Sequence, residues 1–200
     1  MEIRHVEFQF KGQRNYIQGP DILNAMLAVA PNGESLKNIR FVAHSFIETP
    51  SCDLYLAEDK QEFHDLAEVS ARCHFDLHQR TLWLAMKPST IVAPVRRSDF
   101  DEASLLALCQ VKDDRITLER QSPFSFIETI VSMNKCLHQH MFADVAGKWI
   151  FTRLDLDEDC ERWQQIEIRL RHNMHYRLTK SDICVAGRKM GDLYFSLVKP

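Results

Sequence analysis

The sequence lacks the short motifs that mark several common enzyme classes. It has no GxSxG turn, no GxxxxGK[ST] phosphate-binding loop and no GxGxxG dinucleotide fingerprint, and only six of its 200 residues are glycine. These absences remove support for a serine hydrolase of the nucleophile-elbow type and for the common nucleotide-binding folds.

Other absences concern location and partners. No apolar run approaches the ~18–20 residues needed to span a bilayer, and the N-terminus has no signal-peptide core. The net charge of −3 and pI near 6.3 do not suit a nucleic-acid surface, which needs a clustered basic face. The six cysteines form no CxxC pair, which indicates reduced thiols. We therefore expect a cytoplasmic protein that binds neither membrane nor nucleic acid.

No metal or cofactor is expected. Cys136, His138 and His140 lie two residues apart in a segment predicted to be helical. Side chains at that spacing diverge by about 200° around a helix and cannot converge on one zinc ion. A Cys–His catalytic pair stays an alternative, because no spacing in the sequence identifies one particular pair.

What is present is an internal duplication. A helix-opening phrase, a strand and a closing pair of strands occur in the first half and again in the second, in the same order. The copies are offset by about 104 residues early and about 111 later, too long for a solenoid repeat. The duplication predicts two like modules forming a pseudo-dimer, residues 1–88 and 111–200, with a connector at 89–110.

Each half has one helix that should be buried. Residues 20–30 and 123–139 carry apolar side chains around most of the helix circumference, so neither segment could face water. The clearest strands follow the second helix at 165–171, 174–186 and 189–198, with tight turns predicted at 172–173 and 187–188. Three long antiparallel strands after a buried helix can wrap that helix. The predicted class is α+β, with an antiparallel sheet around a central helix in each module.

This arrangement resembles the hotdog fold, and most closely its acyl-carrier-protein dehydratases. The resemblance rests on the helix phrase at 126–131, on the similar phrase at 19–24, and on the final turn at 185–192. It implies two tandem hotdog modules, with Glu128 at the family's catalytic carboxylate position and Asn24 at the equivalent position in the first half. The family's dehydratases carry a histidine in the loop before the helix. Neither residues 14–16 nor residues 120–122 supply one.

The residues around these positions suggest further roles. Glu128 lies among apolar neighbours, which predicts a raised pKa and service as a general acid or base; the alternative is a carboxylate facing water. Tyr16 could donate a hydrogen bond in place of the missing histidine, or simply cover the core. His44 is predicted on a strand face, where it could face Glu128 or serve as a hydrogen-bonded structural residue.

Function follows as two alternatives. The first is a 3-hydroxyacyl-thioester dehydratase-like or thioesterase-like protein acting on acyl-CoA or acyl carrier protein. The second is a non-catalytic acyl-binding or structural module, and a further homodimer is possible. In either case we expect an apolar tunnel beside the second helix, with its polar end near Glu128. Its walls are predicted to come from Phe126, Ile130, Tyr176 and Phe195.

Overall fold

The computed structural model describes residues 1–160 and 162–199, and the chain divides into two compact units, Met1–Phe100 and Asp101–Pro200. The elements of the first unit are β1 (Glu2–Glu7), β2 (Phe10–Lys11), α1 (Gly19–Leu27), β3 (Leu36–Ala43), β4 (Ser51–Ala57), a 3₁₀ turn (Lys60–Phe63), β5 (Ala71–Leu77), β6 (Arg80–Pro88) and β7 (Arg97–Ser98). Its antiparallel sheet has the order β1-β4-β6-β5-β3, while β2 and β7 form a separate parallel pair.

Helix α1 is the buried helix of this unit and contacts β5. Pro20 suits the first turn because its missing N–H would have no partner there, and Asp21 accepts a hydrogen bond from Lys11 at 2.5 Å. The helix ends at Leu27, earlier than the predicted residue 30. The next residues form hydrogen bonds that span three residues rather than four, from the Val29 N–H to Met26 O at 3.4 Å and from the Ala30 N–H to Leu27 O at 3.2 Å.

The opposite face of this sheet has a small apolar cluster of its own. Strand alternation turns Ala57 and Ala85 away from core residues such as Leu84, and Phe63 of the 3₁₀ turn packs on them. Four half-buried residues surround the cluster: Tyr55, Leu66, Val69 and Trp83. The segment between β4 and β5 thus covers the outer face of the sheet.

The elements of the second unit are α2 (Glu102–Leu106), β8 (Cys109–Lys112), β9 (Arg115–Leu118), α3 (Phe126–Met141), β10 (Lys148–Glu158), β11 (Ile166–Met174), β12 (Leu178–Val185) and β13 (Arg188–Val198). The strands form an antiparallel sheet in the order β10-β13-β12-β11-β9-β8. Helix α3 contacts α2, β8, β9, β10 and β11. Within residues 1–160 and 162–199, no helix has the length and apolarity that crossing a membrane requires.

The C-terminal strands form the predicted meander, but its first turn lies further along the chain. Strand β11 continues to Met174 through a bulge near Leu170, and a bulge inserts a residue that bends the strand. Asn173 Oδ1 then accepts the Tyr176 N–H at 2.7 Å, which fixes the turn at 175–177. The second turn uses Ala186 and Gly187, both at positive φ, as a two-residue hairpin requires.

Gly191 is the position where a side chain has no room. A Cβ built there would lie 2.0 Å from Asp155 O, in the neighbouring strand β10, where Gly191 pairs with Leu156. We expect Gly191→Ala to lower the free energy of unfolding by about 1–3 kcal/mol, as overpacking does. Gly187→Ala measures the cost of positive φ alone, since its Cβ meets nothing within 4 Å. Urea unfolding of each variant measures its loss, and wild-type stability of Gly191→Ala would show that the close approach is relieved easily.

Candidate functional site

The N-terminus of α3 is a closed network of hydrogen bonds. Ser125 caps the helix by accepting the Glu128 N–H at 3.2 Å, and Glu128 Oε2 accepts the Ser125 N–H at 3.0 Å, which is a capping box. Just before it, the hydroxyls of Ser122 and Thr129 lie 2.6 Å apart in a buried contact. The capping box explains why the helix begins at Phe126 rather than at the predicted residue 123.

Glu128 is half-buried at the third position of this helix. One of its oxygens accepts a backbone hydrogen bond from the Ser125 N–H. The same bond gives Glu128 a structural part in the helix start. Sequence reasoning gave two interpretations of Glu128, a general acid or base and a carboxylate facing water. It did not predict the capping bond.

The apolar residues two positions before and after Glu128 lie about 200° around α3 from it, on the buried face of the helix. Phe126 and Ile130 are both buried, and the Phe126 ring lies 6.5 Å from the ring of Trp163. Trp163 is itself buried, in the segment before β11. Sequence reasoning did not include Trp163 in the candidate wall, because the segment between β10 and β11 has no periodicity that would place it.

The other two predicted wall residues lie at the far end of α3, around His138. The Phe195 ring stacks on the imidazole at 5.4 Å, and Tyr176 contacts the rings of Phe142 and Trp149, which also border His138. Ten helical residues separate Glu128 from His138, about 15 Å along the axis. The four predicted wall residues therefore form two groups, one at each end of α3.

His138 is fully buried and doubly hydrogen-bonded. Its Nδ1 lies 2.7 Å from Asn134 O and its Nε2 lies 2.6 Å from Thr179 Oγ1. A carbonyl only accepts, so Nδ1 carries the proton of the neutral ring and Nε2 accepts from Thr179. Burial lowers the pKa of His138 to about 4, although the bond to the Asn134 carbonyl opposes that shift. At neutral pH this imidazole is uncharged.

In the first unit, the chain brings Tyr16 beside the segment that follows β3. The Tyr16 and Phe46 rings lie 4.8 Å apart, and the Ile17 N–H donates to Ile47 O at 2.9 Å. His44 belongs to this segment, but β3 ends at Ala43 and His44 is exposed rather than on a strand face. Asn24 is half-buried on α1. The predicted roles of Tyr16, His44 and Asn24 stay predictions.

A second polar constellation in the first unit was missed by sequence reasoning. His5 Nδ1 lies 3.3 Å from Asp53 Oδ1, and His5 Nε2 lies 3.2 Å from Ser51 Oγ. The order of atoms is that of a Ser–His–Asp relay. However, Ser51 is fully buried, so its hydroxyl cannot meet a substrate. We interpret the constellation as a clamp between β1 and β4, which pair His5 with Asp53 in register.

The cysteines do not offer a thiolate nucleophile. All six are free, and burial raises the pKa of each thiol, to about 12 for Cys52 and about 11 for Cys109. A thiol attacks as its thiolate, which these shifts make scarce at neutral pH. The Cys–His pair that the sequence left open is therefore disfavoured.

No protein-family model matches the sequence, and no curated protein is similar enough in sequence to count as a relative. Solved structures do share the fold. The dehydratase domain of PpsC from Mycobacterium tuberculosis, in complex with C12:1-CoA, is 8% identical with a TM-score of 0.55, over 98% of this chain and 93% of that chain. A protein assigned as thioesterase II from Thermobifida fusca YX is 10% identical with a TM-score of 0.58, over 98% and 92%.

A third structure, assigned as a thioesterase from Novosphingobium aromaticivorans, is 12% identical with a TM-score of 0.51, over 99% of this chain and 94% of that chain. Together with the antiparallel sheets and the buried helices, these similarities confirm the predicted hotdog fold. At 8–12% identity they establish the fold alone.

Proposed function

We propose that the chain is a double hotdog protein that processes acyl thioesters carried by CoA or acyl carrier protein. The observation that carries the proposal is the match of almost the whole chain to a dehydratase domain that binds C12:1-CoA and to proteins assigned as thioesterases. Two compact units of similar size support the presence of two modules. The proposed bounds are 1–88 and 111–200, with 89–110 as connector.

Glu128 is the proposed acid or base. In a dehydratase-like reaction a base removes the proton alpha to the thioester and an acid assists departure of hydroxide. In a thioesterase-like reaction the carboxylate would activate water against the thioester carbonyl. Phe126 and Ile130, on the buried face of α3, are proposed as apolar contacts for the acyl chain. Tyr16, Asn24 and His44 are proposed as further polar contacts, and Tyr176 and Phe195 as further apolar ones.

A non-catalytic acyl-binding module is the second candidate. The capping box supports it, because Glu128 already has a structural task at the start of α3. The absence of a histidine from residues 14–16 and 120–122 supports it as well.

The experiment is a mass-spectrometric screen of the purified full chain against acyl and 3-hydroxyacyl thioesters of CoA and of acyl carrier protein. Loss of water from a 3-hydroxyacyl thioester indicates a dehydratase, and release of the free acid indicates a thioesterase. Binding without turnover, followed by calorimetry, favours the second candidate. The absence of both binding and turnover across the panel would contradict acyl-thioester processing.

A further inference from the structure

The interface between α3 and β12 contains polar side chains that the proposed function does not use. Asn134 is fully buried, and neither its Oδ1 nor its Nδ2 has a hydrogen-bonding partner within residues 1–160 and 162–199. Ser181 on β12 is also fully buried, and its hydroxyl lacks a partner in the same described part of the chain. Water-free burial of an unpaired amide and hydroxyl is costly, so such groups normally have a partner.

The directions of α3 and β12 put these two positions at a similar level of the interface. His138 bonds Thr179 of β12, whereas Phe126 at the start of α3 contacts Trp163, just before Ile166, which pairs with Val185 at the end of β12. Helix and strand therefore run in opposite directions. One helical turn before His138 is Asn134, about 5.4–6 Å away. Two residues beyond Thr179, on the same face and about 6.6 Å along β12, is Ser181.

The surroundings of this pair are apolar. Four fully buried side chains from α3, β12 and β13 lie along the same interface: Ile130, Leu137, Ile183 and Leu193. Asn134 offers both a donor and an acceptor, and Ser181 offers a hydroxyl that can do either. A group that matches them must donate and accept from one small atom, which is the chemistry of an O–H group.

We propose that Asn134 and Ser181 form an internal binding site for a single O–H group. Two sources share this chemistry: an ordered water molecule, and a hydroxyl on the acyl chain of a ligand. The second source rests on the proposed function. Asn134 lies six residues from Glu128, about 9 Å along α3 and about 120° around it. A chain whose thioester lies at Glu128 would have to pass around part of the helix, and would present a mid-chain hydroxyl, not one beside the thioester, to this site.

The first test is a crystal structure of the full chain, at a resolution that shows ordered water, without ligand and with a hydroxylated acyl-CoA. The expected result is one oxygen within hydrogen-bonding distance of both Asn134 and Ser181 in at least one of the two. Direct closure of Asn134 onto Ser181 in both, with no oxygen between them, would overturn the proposal.

Thermal unfolding gives an independent readout. We expect Ser181→Ala to lower the midpoint by about 2–4 °C, the usual effect of losing one hydrogen bond in a chain of this size. Ser132→Ala is the matched control, because Ser132 is a buried serine on α3 about 200° around the helix from Asn134. An increase in midpoint for both Ser181→Ala and Asn134→Leu would show that the two groups had no partner, and would overturn the proposal.

Ligand binding separates the two sources. Calorimetry compares dodecanoyl-CoA with analogues that carry one hydroxyl at mid-chain. A preference of about tenfold for a hydroxylated analogue, lost in Ser181→Ala, assigns the O–H group to the ligand. Equal affinities, with the oxygen present in the ligand-free crystal, assign it to water. If no acyl-CoA and no acyl carrier protein thioester binds, the acyl-thioester proposal fails, and the oxygen in the ligand-free crystal then tests the Asn134–Ser181 site by itself.

Discussion

Replacement of Glu128 by Gln is expected to lower acyl-thioester turnover by about two or more orders of magnitude while the fold stays intact, as loss of a general acid or base does. At this position the substitution removes proton exchange and keeps the capping box. Gln can still complete the capping box, because its side-chain oxygen can accept the Ser125 N–H as Glu128 does now. What the variant removes is the ability to exchange a proton, and steady-state kinetics on any substrate found in the screen measures that loss.

Two controls separate chemistry from helix capping. Ser125→Ala removes the capping hydroxyl and keeps the carboxylate, so it should cost about 1 kcal/mol of stability with a much smaller loss of turnover. Glu119→Gln changes an exposed carboxylate that precedes α3 and should leave turnover unchanged. Unchanged turnover in Glu128→Gln would remove this residue from the mechanism. Such a result, in a chain that still binds acyl thioesters, would favour the non-catalytic candidate.

Local patterns in the sequence were enough to predict the buried helices and the C-terminal meander. Apolar side chains around α1 and α3 could only be buried, and the alternation along β11 to β13 could only be strand. The errors lie at the ends of elements. Helix α3 begins three residues later than predicted because Ser125 and Glu128 cap it, and the first turn of the meander moves because Asn173 binds the Tyr176 N–H.

Contacts between distant segments could not be predicted in the same way. The clamp of His5, Ser51 and Asp53 depends on β1 pairing with β4 in one register, and nothing in either segment specifies that pairing. The environment of His138 could not be predicted from local patterns either. Its position four residues after Asn134 placed it on the inner face of α3, but its partner Thr179 lies 41 residues away on β12. Tertiary pairing decides both sites.

The second large expected effect is a loss of stability at low pH that is caused by His138. In the unfolded chain His138 has an ordinary pKa near 6.5, while burial lowers the pKa in the folded protein to about 4. Between these values the unfolded state binds a proton that the folded state does not, so the free energy of unfolding falls as pH falls. Above pH 6.5 this contribution is constant. By about pH 4 the loss from His138 alone should reach about 3 kcal/mol, at 1.36 kcal/mol per unit.

Urea unfolding from neutral pH down to pH 4, followed by tryptophan fluorescence, measures this loss; Trp149 lies 4.5 Å from the His138 ring and reports on its surroundings. Other groups also titrate in this range, so the quantity to compare is the wild type minus His138→Gln. That variant removes the titrating ring while its amide can still bond Thr179, and the difference between the two proteins should change by about 3 kcal/mol across the window. His140→Gln, at an exposed position on the same helix, is the control for a histidine substitution that leaves His138 in place. The same slope in wild type and His138→Gln would mean that the imidazole accepts its proton in the folded protein as readily as in the unfolded chain. The sealed environment formed by Phe142, Trp149 and Phe195 would then have to open to water well before the protein unfolds.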